Sequence, residues 1–154
     1  MPSHHLCCSE CGATFEPGPE LYLCPGCAPE VVAGEPLRGI LEVRVEGLPR
    51  RWPEAPLHAP EGVAPFMPLA GPGSLPPLTV GGTPLEEVPR LREALAMPRL
   101  WLKDDTLNPS GSTKDRASAL VVARARELGR RTVATASTGN AAAALAALAA
   151  AAGL

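Results

Sequence analysis

Apolar and charged residues alternate from Leu41 to Glu46, inside the segment Arg38 to Glu46. That period of two marks a half-buried strand. After Lys114 the period changes. Ala117, Leu120, Val121, Ala125 and Leu128 recur at helical spacing, with Arg116, Arg124, Arg126 and Glu127 largely elsewhere. The pattern predicts a helix that runs to about Glu127 or Leu128 and stops at Gly129. Thr132 to Ala136 then reads as a short apolar strand. From Ala141 to Ala152 there is no polar residue at all. A helix apolar all round must be buried on more than one side. It is too short for a bilayer, which needs about 20 apolar residues. Its cover is therefore expected from outside these 154 residues, as the remainder of a longer enzyme or as a partner chain.

Upstream, the punctuation is denser. In Gly81-Gly-Thr-Pro-Leu85, Thr83 is suited to cap a helix, Pro84 to open it and Glu86 to complete a capping box. Pro89 should end that helix early. A second helical segment from Pro89 to Met97 carries Leu91 and Leu95 on one face, and Arg99 to Lys103 is a compact strand candidate. Strand, helix, strand, helix in this order predicts an α/β fold, a parallel sheet with right-handed crossovers. From Leu48 to Val80, Pro and Gly predict an irregular wrap anchored by Trp52, Phe66, Met67 and Leu69.

Composition narrows the function classes. A net charge of -2 gives no broad drive toward nucleic acid or an anionic membrane. Aromatics at 3% leave few platforms for stacking bases. The start, Met1 to Leu6, lacks the basic and apolar regions of a secretory signal, so a cytoplasmic protein is expected.

All five cysteines fall between residues 7 and 27. Cys8-Ser-Glu-Cys11 and Cys24-Pro-Gly-Cys27 are two CxxC knuckles separated by 12 residues. Two residues between cysteines let one tight turn aim both sulfurs at a single ion, and four thiolates suit structural zinc. Cys8, Cys11, Cys24 and Cys27 are the expected ligands. Cys7 is the spare and could replace Cys8, although the spacing to Cys11 favours Cys8. His4 and His5 read as solvated terminal residues. Four protein ligands leave no open position for substrate, so the ribbon is structural.

Asn108-Pro-Ser-Gly-Ser-Thr-Lys-Asp-Arg116 is a turn that runs into the long helix. Ser112 and Asp115 fit a capping-box pattern. Lys114 lies in the first helical turn, where the macrodipole is positive and a cation is disfavoured. That placement suits an amine nucleophile, and a solvated lysine beside a helix start is the simpler alternative. Ser137-Thr-Gly-Asn140 sits at the start of the last helix, where free N–H groups favour an anion. A plain capping role for its Ser or Asn is the simpler alternative. Asp104 and Asp105 are adjacent, point opposite ways and read as solvated or turn residues.

At this point a family is visible. Lys103 to Arg116 resembles the cofactor-lysine segment of fold-type II pyridoxal 5'-phosphate (PLP) enzymes, the tryptophan synthase beta-like group. Gly81 to Leu85 and Ser137 to Asn140 match its flanking signatures in order. The cysteine ribbon followed by Gly39-Ile-Leu-Glu-Val43 is similar to threonine synthases that carry such an extension. The resemblance implies residues 1–33 as a zinc-ribbon extension and 34–154 as the front part of the catalytic fold. It implies that Lys114 binds PLP covalently and shuttles the proton. Asn140 would hydrogen-bond the cofactor's 3'-hydroxyl, and Ser137, Thr138 and Asn140 would hold the substrate. The substrate would be O-phosphohomoserine, converted with water to threonine and phosphate. A homo-oligomer is expected at full length, with a small amino-acid substrate and neither nucleic acid nor membrane as partner. Two departures stand out. Thr113 replaces the large apolar residue usual before the lysine. The phosphate cradle and the group facing the pyridine nitrogen come later in such chains, so these residues alone are expected to retain PLP poorly and to be inactive. A threonine or serine dehydratase, and a self-contained zinc-ribbon binding module, are the alternatives.

Overall fold

The computed structural model describes residues 3–28 and 33–154. Residues 29–32, beside the expected boundary at residue 33, lie outside the described residues, as do residues 1 and 2. The chain separates into two units, Met1–Trp52 with Ala64–Gly71, and Pro53–Val63 with Pro72–Leu154.

The first unit is built on a three-stranded antiparallel sheet of order β2-β1-β3. Its strands are β1 (His4–Cys8), β2 (Thr14–Phe15) and β3 (Leu41–Val45). Leu6 is the hinge of the register, opposite Phe15 on one side and Val43 on the other. The alternation that predicted a strand is thus realised as β3. His4 and His5 are not solvated ends. Both are half-buried in the central strand, and His5 Nδ1 meets Glu46 Oε1 at 3.2 Å. Strand pairing on both sides of β1 draws them in. Of the expected anchors, Leu69 is buried, Phe66 and Met67 are half-buried, and Trp52 is exposed with its ring 5.5 Å from that of Phe66.

The second unit carries α1 (Pro60–Val63), β4 (Leu85–Glu87), α2 (Pro89–Ala94), β5 (Trp101–Lys103), α3 (Lys114–Glu127) and α4 (Asn140–Ala151). Its centre is α3 packed on α4. Ala119 and Val122 meet Leu145, Leu148 and Ala149, with Val80, Val133, Ala152 and Leu154 packed around them. The predicted apolar face of α3 is corrected. Val121 and Leu128 are largely exposed and Ala117 is exposed, whereas Asp115, Ser118, Ala119, Val122, Ala123 and Ala125 are buried. The buried stripe follows i, i+3, i+4 spacing but uses small and polar side chains. They let the alanines of α4 approach closely, which larger side chains would prevent. On α4 the buried residues are Ala144, Leu145, Leu148 and Ala149, so part of its apolar surface is exposed.

Both helices stop as glycine dictates. At the end of α3 the Gly129 N–H reaches the Arg126 carbonyl and the Arg130 N–H reaches Ala125, with Gly129 at φ +63°. Gly153 and Leu154 repeat that pattern after α4. These are Schellman closures, in which a left-handed residue satisfies the last carbonyls.

Two further expectations change. The helix expected after Thr83 is the strand β4, paired antiparallel with β5 through Leu85 and Lys103, Glu86 and Leu102, Glu87 and Trp101. Thr83 caps no helix: its hydroxyl donates to Asp105 and its oxygen accepts from Arg116 at 3.2 Å. Pro89 instead opens α2. Thr132 to Ala136 has no strand pairing among the described residues, and Val133 alone of the five is half-buried. A parallel strand needs a hydrogen-bonded neighbour, and both sheets described are antiparallel. No described helix is long and apolar enough to cross a membrane.

Candidate cofactor and metal sites

The lysine turn is laced from inside. Asp104 caps a short 3-10 turn over Asp105–Leu107 by accepting the Thr106 N–H at 3.1 Å. Asn108 is 5% exposed and works in two directions. Its Oδ1 accepts the Gly81 N–H at 2.9 Å, and its Nδ2 donates to the Asp105 carbonyl at 3.0 Å. The chain reverses at Gly111, at φ +74°. The Ser112 hydroxyl accepts the Lys114 N–H at 3.2 Å, while Asp115 turns away from Ser112 and accepts from Ser110. The expected capping box is therefore only half formed. Lys114 is the first residue of α3 and its side chain is exposed.

A second set of bonds ties this turn to the Gly81–Leu85 loop. Arg116 grips Asp105 with Nε at 3.0 Å and a terminal nitrogen at 2.7 Å. Thr83 donates to the same carboxylate at 2.7 Å, and Lys103 Nζ donates to the Thr83 carbonyl. Asp105 is thus an ion-pair centre, more than the turn residue expected from sequence. Arg116 first, and Thr83 next, hold its carboxyl well below the usual carboxylate range. Because it ionises more readily folded than unfolded, its share of stability is complete above pH ~4 and is lost as pH falls further. Urea denaturation between pH 7 and pH 2 is expected to show this acid loss, and Asp105→Asn should be less stable at pH 7 but flatter across the acid range.

The α4 start is more open. Gly139 precedes the helix, with no side-chain capping bond, and donates to the Ser137 hydroxyl at 3.3 Å. Neither Ser137 nor Asn140 caps α4, so the simple capping alternative is not realised. Ser137 is half-buried, while Thr138, Gly139 and Asn140 are exposed. Lys114 and Asn140 occupy the same position on neighbouring helices, the first residue of α3 and of α4. By chemistry alone, an exposed amine, an exposed amide, two hydroxyls and an uncapped helix start are donors that suit an anionic ring cofactor and a carboxylate substrate.

The four knuckle cysteines converge. The sulfurs of Cys8, Cys11, Cys24 and Cys27 all lie within 4.8 Å of one another. Cys11 Sγ and Cys24 Sγ are 3.8 Å apart, too far for a disulfide. It is the edge of a tetrahedron with metal–sulfur arms of about 2.3 Å. Cys7 is outside this group, its sulfur 3.8 Å from the carbonyl oxygens of Cys8 and Gly12. The Cys8 thiol is lowered to about 7, chiefly by the backbone N–H groups of Cys11 and Glu10. Cys27 is pushed up to about 12, first by its contact with the Cys11 sulfur and then by burial. A central cation would offset the crowding that raises Cys27.

Sequence reasoning missed the support behind the knuckles. Gly39, at φ +64°, presses its backbone against them; a Cβ there would come within 3.1 Å of the Cys24 and Cys27 Cβ atoms. Its carbonyl accepts the Cys24 N–H at 2.8 Å, and its own N–H reaches Glu10 at 3.1 Å. Arg38 holds that same Glu10 at 2.8 Å. The one available signal was a glycine at the head of the alternating segment.

Residues 77–154 match the family described as pyridoxal-phosphate dependent enzyme. The chain belongs to this family. Among curated relatives, it is 35% identical to the threonine synthase of Methanosarcina acetivorans, over 98% of this chain and 35% of that protein. It is 34% identical to that of Methanocaldococcus jannaschii, over 88% of this chain and 32% of the relative. With the threonine synthase of Mycobacterium leprae it shares 44% identity over 50% of this chain and 21% of the relative. The chain thus spans about a third of the length of the first two relatives. Family membership agrees with the resemblance carried by the lysine segment.

Proposed function

We propose that these residues are the amino-terminal part of a threonine synthase, converting O-phosphohomoserine and water to threonine and phosphate. The observation that carries this reading is similarity to a threonine synthase across nearly the whole chain, ribbon and lysine turn together. Residues 1–33 are the ribbon extension and 34–154 the front part of a catalytic fold whose sheet is completed as parallel βα units. PLP, when bound, supplies the sink for electrons released at the substrate's α-carbon. Lys114 would hold the cofactor through Nζ and would carry a proton on that nitrogen. Asn140 orients the cofactor through its amide. Ser137, Thr138, Asn140 and the uncapped N–H groups of α4 receive the substrate. Cys8, Cys11, Cys24 and Cys27 hold a structural zinc ion, with no open position for chemistry. The protein works in the cytoplasm as a homo-oligomer.

The test compares products. Protein purified from its native source is given O-phosphohomoserine, and phosphate release is followed beside keto-acid release from threonine and serine. Phosphate and threonine with little keto acid are expected. Keto acid without phosphate would reassign the chain to a dehydratase.

A further inference from the structure

We propose that Asp115 is a positioning residue for the Lys114 amine. The idea rests on the reading of Lys114 as the cofactor lysine and adds what sets its direction. Asp115 is 0% exposed, although Lys114 and Arg116 on either side are exposed. Its carboxylate takes two bonds from one residue. The Ser110 N–H donates to Oδ2 at 2.7 Å, and the Ser110 hydroxyl donates to Oδ1 at 2.6 Å.

Those bonds span the whole turn. Ser110 lies before the reversal at Gly111, and Asp115 lies after the lysine. The carboxylate therefore closes a ring whose far side contains Ser112, Thr113 and Lys114. Inside the ring the Lys114 N–H is held by the Ser112 hydroxyl at 3.2 Å. The residue that closes the ring is itself fixed. Asp115 begins the buried stripe that continues through Ser118, Ala119 and Val122, the face of α3 that packs on α4.

Burying a carboxylate is costly unless it is well bonded. Two short charge-assisted bonds and the positive end of α3 offset that cost. The outcome is an unusual pair of neighbours: a rigid, buried acid and an exposed amine on adjacent residues. Lys114 leaves a backbone with little freedom, so its long side chain samples a cone fixed by Asp115. A purely structural Asp115 would close the turn without affecting where the amine points.

Lys103 offers an internal control, as the one other lysine among these 154 residues. The full chain is labelled with limiting PLP and borohydride, and in a parallel arm with limiting acetic anhydride. Peptide mass spectrometry gives the Lys114 to Lys103 ratio in each arm. Amide exchange in α3 is measured on the same samples. Asp115→Asn is expected to lower the ratio at least about fivefold, since small displacements of a reacting group carry large rate effects. Amide protection of α3 should change less than about twofold. Ser110→Ala should move the ratio the same way by a smaller factor, and Ser110→Thr, which keeps the hydroxyl, should restore it. A ratio unchanged by Asp115→Asn, or one that falls only in step with α3 protection, overturns the proposal. If Asp115→Asn unfolds α3, the Ser110→Ala and Ser110→Thr pair decides by the same ratio. A parent protein of native length that takes no PLP at Lys114 defeats the cofactor reading, while the acetylation arm still decides the role of Asp115.

Discussion

Lys114→Ala is expected to abolish borohydride-stable capture of PLP, with no labelled peptide across residues 104–116. The reason is chemical as well as positional. Covalent capture of the cofactor needs a free primary amine, and these residues hold only one other lysine side chain. Both lysines are exposed, but the Lys103 amine donates to the Thr83 carbonyl, whereas Lys114 stands at the start of α3. Lys114→Arg should behave like the alanine variant, because a guanidinium keeps the charge but cannot form the bond. In protein of native length the rate of phosphate release should fall by at least about 10³-fold, on the order of 4 kcal/mol of barrier. The helix should be unharmed, since the side chain contributes nothing to the buried stripe; circular dichroism and thermal midpoint should stay close to the parent's. Equal capture by the alanine variant, mapped to any other residue, would remove Lys114 from the mechanism.

The second large effect lies in the ribbon. Cys24→Ser should release the metal and collapse the first sheet. Cys24 is 1% exposed and is tied into the knuckle on three sides. Its N–H binds the Gly39 carbonyl at 2.8 Å, and its own carbonyl accepts from Cys27 at 3.2 Å and Ala28 at 2.9 Å. Structural zinc contributes roughly 10–16 kcal/mol to small ribbons. A sheet of three short strands buries too little to stand without it. Metal analysis should show one ion per parent chain and none in the variant. Amide protection in β1 and β3 should vanish together. Cys7→Ser is the matched control and should keep its ion, because that sulfur lies outside the cluster. A variant at Cys24 that keeps protected strands would show the ion to be dispensable.

What the sequence made legible was local. The knuckle spacing named four sulfurs that do converge. Gly129 marked the end of α3 because only its left-handed backbone is needed there, and the alternation after Leu41 marked β3. What stayed hidden depends on partners distant in the chain. Thr83 looked like a helix cap until Asp105, brought close by folding, took its hydroxyl. Asn108 looked like a turn former, yet its amide also secures Gly81. Hydrophobicity does not mark the packed face of α3; that stripe starts with Asp115 and Ser118, where small size and a bonded carboxylate matter more. Thr132 to Ala136 had the residues of a strand but no neighbour to pair with among the described residues. Of the candidate site, the identities of Lys114, Ser137, Thr138 and Asn140 came from motif. Their supports came only from the fold.

Gly39 carries a consequence for the order of events as the chain is made. β1 must pair with β2, close by, and with β3, far along the chain. Before any ion is captured, the second pairing closes the full span from Cys8 to Leu41. With both knuckles on one ion, as proposed, the stretch left to close would run only from Cys27 to Gly39. Loop entropy falls with the logarithm of length, so this shortening lowers the closure cost by about 1 kcal/mol. A nascent ribbon that meets metal as soon as Cys27 emerges therefore completes its sheet sooner. One that meets metal late leaves β1 with a bare edge while the catalytic part is still being synthesised.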